Sequence, residues 1–309
     1  MSPSGRSLVA PRVCAAVAFL AGCGGSQLGT TQIQPNAPRP PVAVGNRRIA
    51  WNLNKKDLLY VSNFYSYEIL VFIYPGGEPV ETLTSGGTPE CASANTGDWW
   101  ASGYDEMLEY VHAGKTPIRT LSGASGPCAV DPATGNLAVT NPRTADVVVF
   151  SEDSSSGATF SDGLSGTYFA GYDDKGDLFV DGLRGSTPGL AELPEGGSAF
   201  VPITMSRSLN FPGGIQWYDT YLAVCDQGAG SIYHFAIRGT RAKEIGVTEL
   251  DGSSDIDSFS IEKRDVAGAD AGNNDVALWR YPAGGSRVRV LAGQFDLPTG
   301  LIVSIAKKH

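Results

Sequence analysis

A short motif recurs about every 40 residues along most of the chain, and this repetition limits the folds that the sequence can adopt. Each copy has a turn residue, then apolar residues at alternate positions, then a small polar residue. The copies begin at Asp57, Gly97, Gly135, Gly176 and Thr220. Alternation with a period of two is typical of a β-strand. The repeat therefore predicts a fold that is built from copies of one small β unit.

Three further apolar segments accompany most copies of the motif, so that each repeat has four predicted strands. An inner strand precedes the motif, as at residues 126–131, and a third strand follows it, as at residues 147–150. A fourth strand follows in several repeats, as at residues 117–121. Glycine supplies 39 of the 309 residues, which fits many short strands and turns.

The sequence thus predicts an all-β fold, a β-propeller of six four-stranded antiparallel blades. The blades are expected to start near Asn46, Thr88, Gly126, Gly166, Pro212 and Ser254. One strand is left over at residues 299–305, and it resembles an inner strand. We expect it to close the ring with the first repeat, because an open ring leaves an unpaired edge. Seven blades are the alternative, and a parallel β-helix is disfavoured because its repeats are much shorter.

The N-terminus has the pattern of a secretory signal peptide. Arg6 and Arg12 are followed by an apolar run at residues 13–21. This run is shorter than the about 20 residues that a transmembrane helix needs. Residues 20–23 read Leu-Ala-Gly-Cys and resemble the bacterial lipobox. By that resemblance, Cys23 receives a lipid and becomes the first residue of the mature protein.

These patterns divide the chain into a signal peptide at 1–22, a lipidated Cys23 with a flexible tether at 23–45, and a propeller domain at 46–309. The tether is rich in Gly, Ser, Gln, Thr and Pro and has little apolar surface to bury. We expect an exported cell-envelope lipoprotein that contacts a membrane through the lipid on Cys23. Gly24 rather than Asp follows Cys23, which favours the outer membrane or cell surface.

Several stretches resemble NHL-type repeats. Residues 126–141 read Gly-Pro-Cys-Ala-Val-Asp-Pro-Ala-Thr-Gly-Asn-Leu-Ala-Val-Thr-Asn, and residues 59–63 read Leu-Tyr-Val-Ser-Asn. Residues 168–173, 211–217 and 281–285 are similar to stretches of bacterial surface propellers with the NHL, YncE-like and TolB-like six-bladed shape. The resemblance spans residues 46–305 and implies the architecture. It implies no activity, because one fold serves many functions.

Two cysteines occupy equivalent positions on the predicted inner strands of adjacent blades. They are Cys91 and Cys128. Exported proteins permit disulfides, and a bridge here would join the second and third blades. The alternative is two buried thiols that act as small apolar residues, since adjacent inner strands diverge. Cys225 is expected to be buried and free.

A resemblance to metal-dependent lactonases and esterases of the paraoxonase type implies a divalent cation at the central channel. Candidate ligands follow second strands or end inner strands, and they are Asn63, Asn141, Asp226, Asp131 and Asp173. Oxygen ligands of this kind suit Ca²⁺. The alternative is an ordinary turn role, since Asn and Asp are common in the turns that join strands. No other cofactor is expected.

The sequence contains no recognisable catalytic constellation. The histidines are His112, His234 and His309, and no HxxxH, CxxC or GxSxG pattern accompanies them. The net charge of −9, without a long basic run, argues against nucleic-acid binding.

Binding is therefore predicted rather than catalysis. We expect a monomer that presents one rim to a protein, a glycan or a small ligand. Tyr65, Tyr67 and Tyr104 lie near the loops after second strands and are candidates for a ligand-binding rim. One alternative is a divalent-metal-dependent lactonase or esterase built at the channel mouth. Another is an envelope-assembly partner lipoprotein, which would expose an apolar patch on one rim.

Overall fold

The computed structural model of the protein describes residues 52–84 and 87–307. This part of the chain contains twenty-five strands, and its helical content is one 3-10 turn at Leu53–Lys55. The predicted all-β class is confirmed. No helix within the described ranges is long and apolar enough to cross a membrane. The predicted signal peptide, Cys23 and the tether lie outside the described residues.

Strands β1 to β11 have three to six residues each. In chain order they are β1 (Leu58–Asn63), β2 (Glu68–Ile73), β3 (Pro79–Leu83), β4 (Thr88–Ala92), β5 (Trp99–Ser102), β6 (Glu106–Tyr110), β7 (Arg119–Ser122), β8 (Cys128–Val130), β9 (Leu137–Asn141), β10 (Asp146–Phe150) and β11 (Gly157–Ser161). In β4, buried and half-buried residues alternate, as the two-residue period of a strand requires.

Strands β12 to β25 include several longer elements, and β19 reaches eleven residues. They are β12 (Gly166–Tyr172), β13 (Leu178–Arg184), β14 (Thr187–Leu193), β15 (Val201–Met205), β16 (Pro212–Tyr218), β17 (Tyr221–Asp226), β18 (Ser231–Arg238), β19 (Arg241–Asp251), β20 (Ile256–Glu262), β21 (Asp265–Asp270), β22 (Asp275–Arg280), β23 (Gly285–Ser286), β24 (Arg289–Val290) and β25 (Pro298–Ser304).

Four of the sheets have four antiparallel strands each. Their orders are β25-β1-β2-β3, β4-β5-β6-β7, β11-β10-β9-β8 and β20-β21-β22-β24. In the first of them, β25 pairs with β1, and Leu58 lies opposite Ser304. The two ends of the described chain thus complete one sheet, which is the ring closure expected of the last strand. This pairing covers an edge of β1 that would otherwise be open.

The remaining strands form one nine-stranded sheet, where two separate four-stranded blades were expected. Its order is β12-β13-β14-β15-β19-β18-β17-β16, with β23 beside β19. Two antiparallel four-stranded units meet at their outer strands, where Thr204 of β15 pairs in parallel with Arg241 of β19. The length of β19 lets it reach both β15 and β23. The expectation of six separate sheets is met only in part.

Each four-stranded unit begins with an inner strand. The inner strands are β4, β8, β12, β16, β20 and β25, and each contacts the next in a closed circuit. The lower face is defined here by the turns that lead from inner strands to second strands, at residues 93–98, 131–136, 173–177, 219–220 and 263–264. The upper face is defined by the turns between second and third strands, at residues 64–67, 103–105, 142–145, 185–186, 227–230 and 271–274.

Apolar clusters fill the spaces between successive four-stranded units, including the space between the last and the first. Because neighbouring side chains of a strand point to opposite faces, Leu59 and Val61 pack against the last unit while Tyr60 packs against the second. Trp99 is fully buried, and its ring stacks on Tyr60 and Tyr110 with centroid distances of 4.3 and 4.2 Å. The sheets thus pack face to face around the inner strands, in a propeller-like arrangement.

Candidate functional site

A cavity of about 280 Å³ lies between the six inner strands. The C-terminal halves of these strands supply its walls, together with Ala94, Pro132 and Asp174 from lower-face turns. Ligand pockets typically have volumes of about 300–1,000 Å³, so this cavity is slightly smaller than that range. Its position indicates that it opens at the lower face, and its volume suits a small molecule.

Glycines allow the inner strands to approach one another above the cavity. A Cβ atom added at Gly300 of β25 would lie 2.6 Å from the Pro89 carbonyl oxygen of β4. A Cβ atom at Gly214 of β16 would lie 3.2 Å from the Phe259 ring of β20. Both glycines precede the wall residues of their strands, so these close approaches narrow the channel toward the upper face.

Irregular pairing marks the inner strands near the cavity. In β4 the register shifts between Pro89 and Cys91, which makes Glu90 the extra residue of a β-bulge. A similar shift in β20 makes Asp257 the extra residue. Bulges re-aim side chains and are frequent near functional sites. Glu90 lines the cavity, whereas Asp257 lies outside its wall.

The two carboxyl oxygens of Glu90 differ in their hydrogen bonding to the described residues. The Ser102 hydroxyl donates a hydrogen bond to Glu90 Oε1 at 2.6 Å, and no described residue donates to Oε2. Burial raises the pKa of Glu90 to about 7, and the Ser102 hydrogen bond opposes that increase. Burial has this effect because a carboxylate loses its hydration among protein atoms. Glu90 therefore exchanges a proton near neutral pH and keeps one oxygen available to a ligand.

A second acidic side chain, Glu262, ends β20 at the lower side of the cavity. Burial, together with the nearby Asp57 carboxylate, raises the pKa of Glu262 to about 7, and Lys263 opposes this increase. The Lys263 ammonium is engaged elsewhere, since its Nζ lies 3.2 Å from Asp57 Oδ2. Two carboxyl groups that titrate near neutrality thus share the cavity wall.

Among the described residues, the cavity wall contains acidic and apolar side chains but no Lys, Arg or His. The acidic members are Glu90, Asp173, Asp174 and Glu262. Phe259 and Trp217 contribute aromatic surface, and the Trp217 ring is parallel to that of Phe179 at a centroid distance of 6.1 Å. The wall therefore favours a neutral or cationic ligand over an anion.

The three cation-ligand candidates that follow second strands lie at the upper face, where they organise loops. Asn63 Oδ1 accepts a hydrogen bond from the Asp296 N–H at 3.1 Å. Asp226 Oδ2 accepts one from the Asn210 N–H at 2.8 Å. Asn141 Oδ1 accepts the N–H of the residue two positions later at 3.0 Å. These oxygens therefore hold backbone N–H groups, as turn residues do.

The other two candidates, Asp131 and Asp173, lie at the lower face. Asp131 Oδ1 accepts the Ala133 N–H, and Asp173 Oδ1 accepts the Lys175 N–H, each at 2.8 Å. The length of a second strand separates them from the upper-face set, so the five residues form no common site. In the described part of the chain, no three His, Cys, Asp or Glu side chains are placed to hold a metal. Ca²⁺ takes six to eight oxygen ligands, and these five residues do not bring their oxygens to one position.

The three tyrosines of the predicted rim lie on two consecutive turns of the upper face. Tyr65 and Tyr67 belong to the turn at 64–67, and Tyr104 belongs to the turn at 103–105. All three are exposed, and Tyr104 is 98% exposed. They lie at the opposite face from the cavity mouth, so the structure does not bring them to the cavity.

A disulfide bond joins Cys91 of β4 to Cys128 of β8, with the Cα atoms 5.4 Å apart. Both cysteines border the cavity, and both pack with Trp100 in the cluster between the second and third sheets. The two inner strands are thus close enough at this height to be bridged. Cys225 is buried and forms no disulfide within the described residues, and its thiol donates a hydrogen bond to the Ile256 carbonyl oxygen at 3.6 Å.

Sequence reasoning missed Glu90 and Glu262 as cavity residues. The available signal was an acidic residue within a segment predicted to be a buried inner strand, since carboxylates are rarely buried without a partner. Regular alternation, however, assigns Glu90 to a sheet face and does not reveal the bulge that re-aims it. The cavity residues became recognisable only with the pairing register.

No protein-family model and no curated protein matches this sequence. Solved structures match it by fold. A chain of a nidogen–laminin complex is 13% identical with a TM-score of 0.66, and the match covers 82% of this chain and 100% of that chain.

Two bacterial proteins of unknown function are also similar. The one from Desulfotomaculum acetoxidans DSM 771 is 12% identical with a TM-score of 0.57, and the match covers 82% of this chain and 100% of that chain. The one from Bacteroides caccae is 13% identical with a TM-score of 0.60, and the match covers 81% and 99%. At these identities the likeness concerns the fold alone, and the fold that this chain shares with them is β-propeller-like.

Proposed function

We propose that this protein is an exported, lipid-anchored propeller of six blades that binds a small ligand in its central cavity. The closed circuit of six inner strands and the apolar clusters between successive units support six blades. On this count the nine-stranded sheet consists of two blades that are joined at their outer strands. The NHL-like stretches of the sequence fit the same number.

The observation that supports a binding role is the cavity at the centre of the inner strands. A ligand there would contact several blades at once, and Glu90 Oε2 would be available to it. Hydrolysis of the paraoxonase type needs metal ligands that converge on the axis. The candidates for that role lie at opposite faces and hold backbone N–H groups. Binding is therefore favoured over catalysis.

A fragment screen tests the binding role. Small cationic, neutral and anionic fragments would be screened by ligand-observed NMR against the purified protein and against Ser260→Phe, which places a bulky ring at the cavity wall. We expect binding to the parent and loss of binding in the variant. Ser122→Phe, at an exposed position of the outer strand β7, is the matched control and should bind like the parent. Absence of binding by every fragment would reject the proposal.

The anchor is tested separately in a bacterial host. Cys23 should become labelled by a fatty-acid analogue and should keep the protein in the membrane fraction. Cys23→Ser should abolish both the label and the membrane retention, because the thiol is the lipid acceptor in the lipobox pattern. Cys225→Ser is the control. Labelling that persists in Cys23→Ser would show that the lipid is attached elsewhere.

A further inference from the structure

We propose that the cavity ligand is a small organic cation, a protonated amine that pairs with Glu90 and carries an apolar body along Phe259 and Trp217. This inference rests on the proposed function, since it names the chemical class that the central cavity would bind. It depends on three properties of the site. One oxygen of Glu90 has no hydrogen-bond partner among the described residues, the charged side chains of the described wall are acidic, and few oxygen ligands converge there.

Glu90 is a half-buried carboxyl group that pairs with no basic side chain of the described residues. Its hydrogen-bond partner in the described structure is the Ser102 hydroxyl, and no described basic side chain lines the cavity. An ionised carboxylate in such surroundings costs free energy unless a cation compensates it. A ligand ammonium would supply that cation and could donate to Oε2. An anionic ligand would add a second negative charge beside Glu90 and Glu262.

The composition of the wall indicates an organic cation rather than a metal ion. A hard ion such as Ca²⁺ requires six to eight oxygen ligands, and no described trio of acidic, His or Cys side chains converges here. Apolar side chains occupy much of the remaining wall, including Ile215, Phe259 and Leu301. An aromatic face near a cation adds electrostatic attraction. The volume of about 280 Å³ limits the ligand to a small molecule.

Cation binding should depend on pH because it requires ionised Glu90. Burial raises the pKa of Glu90 to about 7, so its ionised fraction rises from about one tenth at pH 6 to about nine tenths at pH 8. Affinity for an amine that stays protonated should therefore rise about tenfold over this interval. Glu262 also has its pKa raised to about 7, and the pKa of Asp173 is raised by burial. Mutation is therefore needed to identify which of these carboxyl groups causes the pH dependence of binding.

The test is calorimetric titration of the purified protein with benzylammonium, benzyl alcohol and benzoate at pH 6 and pH 8. These probes share a ring and differ in charge. At pH 8 we expect benzylammonium to bind at least tenfold more tightly than the other two. Glu90→Gln should lose at least tenfold in affinity for benzylammonium and should lose the pH dependence. The matched control Glu195→Gln removes an exposed lower-face carboxylate outside the cavity wall and should behave like the parent.

The outcomes separate this inference from the proposed function. Equal binding of all three probes would overturn the cation assignment and leave cavity binding intact. Absence of binding by every probe would overturn the cation assignment, and the fragment screen would then decide whether the cavity binds any ligand. Persistence of the pH dependence in Glu90→Gln would overturn the assignment to Glu90. If Glu90→Gln does not fold, Ser102→Ala provides the test, because loss of the hydrogen bond should move the midpoint of the pH dependence upward.

Discussion

Asp181 of β13 is a carboxyl group that is buried without full hydrogen bonding. Its Oδ1 accepts the Phe169 N–H at 3.0 Å, while Oδ2 has no partner in the described structure. Burial raises the pKa of Asp181 well above its ordinary value, and the Phe169 hydrogen bond opposes the increase. The folded protein therefore retains a proton that the unfolded chain releases above about pH 3.9.

Because the pKa of Asp181 is higher in the folded state, its protonated form adds stability that is complete below about pH 3.9 and is lost as the pH rises. Asp181→Asn carries no titrating proton at this position. The free energy of unfolding of Asp181→Asn, relative to that of the parent, should therefore increase with pH. The increase should be about 1.4 kcal/mol per pH unit while Asp181 of the folded parent stays protonated. Urea unfolding at pH 5 and pH 7 measures this change. The exposed Asp174→Asn is the control, and parallel pH profiles for parent and Asp181→Asn would contradict the prediction.

At the scale of elements, the disulfide joins two neighbouring inner strands, β4 and β8. The bonded residues are 37 positions apart in the sequence. A cross-link of that span restricts the unfolded chain and stabilises the fold by about 4 kcal/mol. Glycines and bulges act on the same strands, because they set how closely one inner strand approaches the next.

We expect the double variant Cys91→Ala/Cys128→Ala to unfold with a free energy lower by about 4 kcal/mol than that of the parent. Reductant should destabilise the parent by a similar amount and leave the double variant unchanged. Urea unfolding with and without reductant checks both statements. Cys225→Ala removes one buried free thiol and controls for loss of packing. If reductant does not change the free energy of unfolding of the parent, the disulfide makes no measurable contribution to stability.

The contact of Gly300 with β4 predicts a second effect at the element scale. Gly300→Ala should lower the free energy of unfolding by about 1–3 kcal/mol, because the new Cβ would lie 2.6 Å from the Pro89 carbonyl oxygen. Gly166→Ala at the start of β12 is the matched control, since its nearest atom would be 3.7 Å away. Thermal unfolding of the two variants measures the difference. Equal stability of the two variants would mean that β25 and β4 can move apart at little cost in free energy.

At the scale of the whole molecule, β25 provides the closure. It pairs with β1 and also contacts the inner strands β4 and β20 on either side. Its apolar residues belong to the clusters on both sides of the first sheet, as Leu301 and Ile302 show. The last strand of the chain thus completes both a sheet and the circuit of inner strands.

Truncation before residue 298 should therefore abolish the cooperative unfolding transition rather than weaken one sheet. The inner edge of β1 would lose its partner, and two apolar clusters would lose buried side chains. Urea unfolding followed by circular dichroism measures cooperativity, and a peptide of residues 297–307 added in trans should restore it. Truncation after Ala306 keeps β25 and serves as the control. A sharp transition in the shorter chain would refute the role of closure.

Much of this fold could be predicted because its repeats are local. Alternation of apolar residues identified strands such as β9 and β17, and the strand left over at the C-terminus predicted the closure. The separation of Asn63 from Asp131 could also be predicted from the sequence. Asn63 follows a second strand and Asp131 precedes one, so they belong to opposite ends of such strands. The nine-stranded sheet was not predictable, because the pairing of β15 with β19 depends on where two outer edges meet.

The strands, the four-stranded repeat and the equivalence of Cys91 with Cys128 were predictable because short-range patterns express all of them. Three-dimensional packing was needed to show that Glu90 lines a cavity whose described wall residues include no basic side chain. It was also needed to show that Asn63 and Asp226 accept hydrogen bonds from loop N–H groups. The physical reason is that burial, desolvation and charge pairing depend on distances between residues far apart in the chain. A local pattern contains no information on those distances.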